Sequence, residues 1–289
     1  MDPVRKLLHF FPILLGMAFF QPGISQALGQ PLPPAVSDSV KLICGAVPAS
    51  SYDVRIRTVG KLGRTLPADD FFALQNFLEK KPKDDPAKPD QLDAIKNDVA
   101  AKLIACDYWP DGFARRFLAM HAAPDVGLVW QNYTIQFLDS LWRRERDDAV
   151  RRQILDALIE AGSDTRITMS GTALLTLSRL PSEAGLGAHE LGAMAVRVIG
   201  NTAIPWQDKI TALHVAADAA DARALAQARI WAVDKTQPIM LRMASFAVMG
   251  KRGDASDKPL LERYAQSGEF RLRTASRAAL KKLSQPPAP

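Results

Sequence analysis

Residues 241–247 read LRMASFA, and residues 272–278, 31 positions further on, read LRTASRA. Weaker copies of this pattern occur at 54–62 (VRIRTVGKL) and at 211–216 (TALHVA). Internal repetition at about the length of one helix pair is typical of helical-repeat proteins. Because one helix pair cannot bury its apolar face alone, we expect the copies to stack on one another rather than to form an isolated bundle.

The chain from Val36 onward has a helical pattern, with apolar residues at intervals of three and four and abundant alanine. No sustained alternation of apolar and polar residues predicts a strand, so we expect an all-α fold. A charged, proline-containing linker at 82–90 is the longest break in the pattern. Helices are expected at 54–62, 67–78, 91–106, 110–122, 125–143, 146–161, 166–180, 188–200, 205–218, 221–234, 238–251, 257–267 and 270–284.

The best repeats combine an arginine and small residues with a following glycine–aspartate turn; the residues concerned are Arg242, Ala244, Gly250, Gly253 and Asp254, then Arg273, Ala275 and Leu280. In this respect the chain resembles the HEAT-like repeat proteins. The resemblance is clear over 238–284, fair over 51–81 and 205–234, and poor over 90–200. It implies a right-handed α-solenoid of antiparallel helix pairs that serves as a binding surface or scaffold, and it implies no catalytic residues.

The first 27 residues are organised like a secretory signal peptide. Arg5 and Lys6 precede a mostly apolar run at 7–20, and Ser25-Gln26-Ala27 places small residues where a signal peptidase reads. An uncleaved membrane anchor is the alternative, but the run is short for a bilayer, which needs about 20 residues. We therefore expect a periplasmic or secreted bacterial protein. Its parts would be a signal peptide (1–27), a flexible lead-in (28–35), a helical domain (36–284) and a disordered tail (285–289).

The charge is distributed unevenly along the chain. The 289 residues carry a net charge of +6 and are 47% hydrophobic, which is ordinary for a folded globular protein. Residues 28–250 hold 26 acidic and 26 basic side chains, whereas residues 251–289 hold four acidic and nine basic ones. For an exported protein, a basic end favours a protein partner with an acidic surface, or an anionic envelope polymer or lipid, over nucleic acid.

The basic residues of the last predicted helix form a stripe. Arg273, Arg277 and Lys281 are four apart, and Arg271 and Lys282 lie nearby. One interpretation is the solvated face of a terminal repeat, and the other is a docking strip for a partner.

Catalytic motifs are not found in the sequence. His189-Glu190 begins like a zincin motif, but Ala193 stands where the second histidine is required. His214 and Asp218 are four apart and share a helix face, so a hydrolase with an inter-helix carboxylate and histidine site stays as an alternative. We otherwise expect no enzyme, no cofactor and no metal site.

Cys44 and Cys106 are the only cysteines, which excludes a disulfide-dense scaffold and a four-cysteine zinc module. Export would place both in an oxidising compartment, where a Cys44–Cys106 disulfide is expected. Two separate buried thiols that pack as small apolar side chains are the alternative.

Eight aromatic residues fall between positions 108 and 142, among them Trp109, Trp130 and Tyr133. They predict either a thicker core or an aromatic surface that binds a glycan or small ligand. The function that we expect from the whole pattern is an exported helical-repeat scaffold for protein–protein interaction in the bacterial envelope.

Overall fold

Fourteen α-helices and three short 3-10 turns make up the regular structure of the residues that the computed structural model describes, which are 35–47, 50–123, 125–163 and 169–285. The all-α fold is therefore confirmed for these residues. The 3-10 turns are Pro82–Asp84, Ser182–Ala184 and Ala255–Asp257. The helices are α1 (Asp38–Ile43), α2 (Tyr52–Lys61), α3 (Ala68–Leu78), α4 (Pro89–Ala105), α5 (Phe113–Ala122), α6 (Leu128–Arg144), α7 (Asp148–Ser163), α8 (Ser170–Leu177), α9 (Ala188–Gly200), α10 (Trp206–Asp218), α11 (Ala222–Val233), α12 (Ile239–Arg252), α13 (Lys258–Ala265) and α14 (Phe270–Leu283).

Most helix boundaries follow the apolar periodicity to within three residues. Helix α8 ends at Leu177, three residues before the predicted end at 180, and continues as a turn, while its predicted start at 166 lies outside the described residues. The physical reason is Pro181, since the residue before a proline is disfavoured in a helix. The predicted signal peptide at 1–27 lies outside the described residues, as do the lead-in as far as residue 34 and the tail from residue 286.

The turn predicted at Gly250 to Asp254 begins later than expected, because α12 continues to Arg252. Gly250 is buried, and a Cβ atom there would lie only 2.6 Å from Cα of Ala279 in α14. The glycine therefore permits a close approach of two helices, and the turn itself begins at Gly253. Two carboxylates of this turn bind Arg229 of α11, with Asp257 at 2.8 Å and Asp254 at 3.1 Å.

The even-numbered helices form a continuous series of contacts. Helix α2 packs on α4, α4 on α6, α6 on α8, α8 on α10, α10 on α12, and α12 on α14. The odd-numbered helices pack against this layer, and α11, for example, contacts both α10 and α12. The apolar core runs between the layers, from Val40 near the N-terminal end of the described chain to Leu272 in α14.

Arginines tie the even-numbered helices to the helices that precede them. A helix leaves its last four carbonyl groups without intrahelical donors, and a cation there is favoured by the helix dipole. In three helix pairs an arginine Nε fills this role. The pairs of groups are Arg55 and the Ile43 carbonyl (2.8 Å), Arg242 and the Ala232 carbonyl (3.2 Å), and Arg277 and the Ala265 carbonyl (3.2 Å).

A second set of basic side chains connects neighbours within the even-numbered layer. Each lies near the C-terminal end of its own helix and donates to carbonyls at the same end of the preceding even-numbered helix. The contacts join Lys102 to the Gly60 and Leu62 carbonyls (3.2 and 3.1 Å), Arg144 to the Cys106 carbonyl (2.7 Å), and Arg252 to the Asp218 carbonyl (2.9 Å). These hydrogen bonds hold the C-terminal ends of neighbouring even-numbered helices together.

Candidate functional site

Two adjoining grooves lie on the even-numbered helices. The first, which we call the apolar groove, has a volume of about 330 Å³ and lies between α10, α12 and α14. It is formed mainly by alanine and methionine side chains, with one histidine and one lysine. Its lining residues are Ile210, His214, Met240, Met243, Ala244, Ala247, Ala275, Ala278, Ala279 and Lys282.

The second, which we call the polar groove, has a volume of about 570 Å³ and lies between α6, α8 and α10. Amide and hydroxyl side chains dominate its lining. The residues are Asn132, Gln136, Thr172, Leu175, Thr176, Arg179, Pro205, Gln207, Asp208 and Thr211. Both grooves use α10, on which Thr211 lines the polar groove and His214, one turn further on, lines the apolar groove.

Two buried polar groups distinguish the polar groove. The side-chain oxygen Oδ1 of Asn132 is buried and has no hydrogen-bond partner among the described residues. The Asp208 carboxylate accepts a hydrogen bond from the Ser170 hydroxyl at 3.2 Å, and it also accepts one from the Gly171 backbone N–H. Burial raises the pKa of Asp208, although both hydrogen bonds act in the opposite direction. Asp208 thus connects α10 to the start of α8 by hydrogen bonds, whereas the Oδ1 acceptor of Asn132 is unpaired among the described residues.

His214 is half-buried in the wall of the apolar groove. Burial lowers its pKa; Asp218 acts against this change, whereas Lys251 and Lys282 reinforce it. Asp218 itself is paired with Lys251. Across the described parts of the chain, no group of three or more histidine, cysteine or carboxylate side chains is placed to hold a metal ion.

The five basic residues of the predicted stripe on the last helix differ in their contacts and exposure. Arg273 donates to the Ser267 carbonyl, in the connection between α13 and α14, at 2.7 Å, and Arg277 donates to the Ala265 carbonyl at the end of α13, so both guanidinium groups are engaged within the last helix pair. Lys282 is exposed and lines the apolar groove, whereas Arg271 and Lys281 are exposed outside it. The five residues therefore do not share one free face. The sequence pattern missed this because hydrogen bonding to a neighbouring helix leaves no mark on local spacing.

The predicted aromatic surface is wrong for Trp130, which is fully buried under α4, with the Lys96 ammonium 5.2 Å from its ring. Tyr133 is half-buried and meets Trp130 edge to face at 6.5 Å. Trp109 is half-buried beneath the Arg144 guanidinium, at 4.3 Å. Trp130 is interior because α6, which carries it, contacts α4, α5, α7 and α8, whereas Trp109 lies in the connection between α4 and α5.

The predicted Cys44–Cys106 disulfide is not formed, since both cysteines are free and buried. Cys44 packs against α3, with its sulfur 3.9 Å from the Ala73 carbonyl oxygen, whereas Cys106 ends α4 beside Arg144. Burial raises the pKa of Cys44 to about 12, although Lys80 and Arg55 act to lower it. The thiols therefore behave as small apolar side chains in separate parts of the core.

A buried ionic cluster near the N-terminal end was not predicted from the sequence. Arg55 and Asp85 are both fully buried and form two hydrogen bonds, at 2.6 and 3.0 Å, while Lys80 lies 3.0 Å from the same carboxylate. Burial alone would raise the pKa of Asp85, but the hydrogen bonds from Arg55, the Ala87 backbone and Lys80 lower it overall. Asp85 lies in the 82–90 linker, whose irregular sequence carries no periodicity that could have revealed the pair.

Comparison with known proteins identified no relative of this chain. No family model, no curated protein and no solved structure matches the chain. Within the described residues, no helix is both long and apolar enough to cross a membrane. The two grooves form the candidate functional site of the described residues.

Proposed function

We propose that this chain is an exported α-solenoid of HEAT-like helix pairs, right-handed as the resemblance implies, that acts as a scaffold for protein–protein interaction in the bacterial envelope. The observation that carries the proposal is the pair of adjoining grooves on the even-numbered helices. The 31-residue repeat and the successive contacts from α2 to α14 support the stacked arrangement. A stack of this kind offers a long surface without needing a catalytic centre.

The partner that fits best is a protein with an acidic surface. Residues 251–289 hold nine basic and four acidic side chains, and this segment includes the wall of the apolar groove that α14 provides. Opposite charge steers association and fixes orientation. Anionic envelope polymers and lipids are the alternative partners, because they carry the same charge.

Site-specific photo-crosslinking in intact cells tests the scaffold. A photoreactive residue at Thr211 or Ala278 lies in a groove, whereas one at the exposed Ala226 of α11 lies on the other layer and is the matched control. We expect the same envelope protein to be crosslinked from both groove positions and not from Ala226, and the tagged partner to recover this chain in return. Equal crosslinking from all three positions, or from none, contradicts the proposal.

Export is tested on the protein recovered from the periplasm of a bacterial host. The expected N-terminal residue of the mature chain is Leu28, because the signal-peptide pattern ends at Ala27. A chain that stays in the cytoplasm and keeps Met1 contradicts export, but it leaves the scaffold proposal to the crosslinking experiment.

The polar groove supports a second candidate function, which is binding of a small polar ligand such as a glycan. The specific observations are the amide and hydroxyl side chains that line the groove and Asn132 Oδ1, a buried acceptor without a hydrogen-bond partner among the described residues. Calorimetric titration with soluble peptidoglycan fragments tests it, and Asn132→Ala should weaken binding by about tenfold. Asn97→Ala on α4 is the control, and no heat of binding with the unaltered chain contradicts this function.

A further inference from the structure

We propose that the apolar groove binds a single amphipathic α-helix of the partner protein, with acidic residues near one end of the helix's apolar face. This inference rests on the proposed scaffold function and names the part of the partner that the groove takes.

The length of the apolar walls of the groove favours a helical occupant. Met240, Met243, Ala244 and Ala247 repeat along α12 at the intervals i, i+3, i+4 and i+7. On α14, Ala275, Ala278, Ala279 and Lys282 repeat at the same intervals. Each wall is therefore about two helical turns long, and the apolar side chains at i to i+7 of an amphipathic helix span the same length.

The size of the side chains favours close contact with such a helix. Five of the residues that line the groove are alanines, and three of these, Ala247, Ala275 and Ala278, are at least partly exposed and leave room for the larger side chains of a partner. Helices whose contact side chains are small approach to about 8 Å between axes. Met240 and Met243 add flexible, polarizable side chains, which adapt to different apolar partners.

Charge complementarity defines one end of the groove. Lys282 lies at the C-terminal end of α14 and forms no ion pair with any of the described residues. Lys251, at the same end of α12, is already paired with Asp218. Lys282 is thus the cation available to an acidic side chain of the partner. A second copy of this chain would bring the same basic end against itself, so like charges disfavour it.

A membrane surface is disfavoured by the shape of the groove. Its apolar atoms lie in a recess between three helices, whereas binding to a flat bilayer requires apolar side chains that project into the lipid. An acyl chain could still enter the recess, so lipid binding is an outcome that the experiment must separate.

The test measures the binding of two fluorescein-labelled peptides to the full mature chain by fluorescence anisotropy. The probe is a blocked helical peptide of about 14 residues with leucines at i, i+3, i+4 and i+7 and two glutamates near one end. The control peptide has the same composition in a scrambled order. We expect the probe to bind at least about tenfold more tightly than the scrambled peptide.

Matched variants locate the site. Ala278→Glu places a charge in the groove and should weaken probe binding by about tenfold, whereas Ala226→Glu on α11 places the same charge outside it and should leave affinity within about twofold. Both alanines are exposed, so neither change disturbs the core, and circular dichroism checks that both variants are folded.

A charge reversal tests the acidic end of the partner helix. Lys282→Glu should weaken probe binding, and affinity should return when the two glutamates of the probe are replaced by lysines. Lys281→Glu changes the net charge equally at an exposed position outside the groove and should have little effect at physiological salt.

Three results overturn the inference. They are equal affinity for the probe and the scrambled peptide, equal loss in Ala278→Glu and Ala226→Glu, and displacement of the probe by anionic phosphatidylglycerol vesicles together with binding of those vesicles that depends on Lys282. The last result assigns the groove to lipid. If the peptide experiment fails while crosslinking from Thr211 still captures the partner, the scaffold function stands and only the helix-binding inference falls.

Discussion

Lys96 is a lysine in the protein interior, 1% exposed, with its ammonium group bound to the Lys80 carbonyl. Burial lowers its pKa from 10.5 to about 8, although Asp93 and Asp85 act to raise it. Between these two pH values the unfolded chain binds more protons at this residue than the folded chain does. The contribution of Lys96 to the free energy of unfolding should therefore rise with pH from about 8 to 10.5.

Lys96→Met should remove this pH dependence, because methionine fills a similar volume without a proton to lose. The measurement is urea unfolding of both proteins near pH 7 and near pH 10, and the quantity compared is the change in unfolding free energy. Lys61→Met, at an exposed position of α2, is the control and should keep the dependence of the unaltered chain. Equal slopes for the unaltered chain and Lys96→Met would show that the lysine is not held in a charged, desolvated state.

Gly250 supports a second prediction about a single residue. An added Cβ would lie 2.6 Å from the Ala279 Cα and 2.9 Å from its carbonyl oxygen, so Gly250→Ala must push α12 and α14 apart. We expect a loss of about 1–3 kcal/mol in unfolding free energy. Gly60→Ala on α2 is the matched control, because nothing lies within 4 Å of its added Cβ. Alanine favours the helix there, so that variant should gain about 0.5–1 kcal/mol.

The ion pair of Arg55 and Asp85 connects three structural elements, which are α1, α2 and the 82–90 linker. Arg55→Met would leave the buried carboxylate without its strongest partner and the Ile43 carbonyl without a donor. We expect a loss of about 3–5 kcal/mol in unfolding free energy, measured by chemical denaturation. Arg115→Met removes an exposed ion pair with Asp147 and should leave the denaturation midpoint nearly unchanged.

The ionisation of Asp85 adds a pH dependence to the same pair. Its pKa is lowered in the folded state, so the stabilisation is complete above the unfolded value of 3.8 and is lost as pH falls through the folded value. Arg55→Met should therefore be closest in stability to the unaltered chain in strong acid. A difference that is independent of pH would contradict this account.

The helices themselves could be predicted from the sequence because apolar periodicity is a local property. The hydrogen-bond partners of the arginines could not be predicted from this periodicity. Arg242 and Arg273 occupy equivalent positions in the repeated heptapeptide, but they bind different groups. Arg242 donates to the Ala232 carbonyl near the end of α11, whereas Arg273 donates to the Ser267 carbonyl in the connection that follows α13. The carbonyl at the end of α13, that of Ala265, is bound by Arg277 instead. Arg273 and Arg277 are one helical turn apart, and their partners depend on contacts with α13 and the following connection, which the local sequence does not reveal.

For the whole molecule, stacking with nearest neighbours predicts that damage stays local. Helices α1 to α4 and α12 to α14 lie at opposite ends of the contact series. Arg55→Met should increase hydrogen exchange in α1 to α4 and Gly250→Ala in α12 to α14, with little effect at the other end. In the double variant the two losses in unfolding free energy should add. Increased exchange along the full length for either variant would show one cooperative unit instead.

The sequence by itself determined the helices, most of their boundaries, the repeat and the basic C-terminal end. These features depend on residues within one or two helical turns of each other. Only the tertiary structure decided that Trp130 is interior, that Cys44 and Cys106 lie apart, that Arg55 meets Asp85, and that Lys282 rather than Arg277 faces a groove. The physical reason is that burial and hydrogen bonding join residues about 30 positions or more apart in most of these cases.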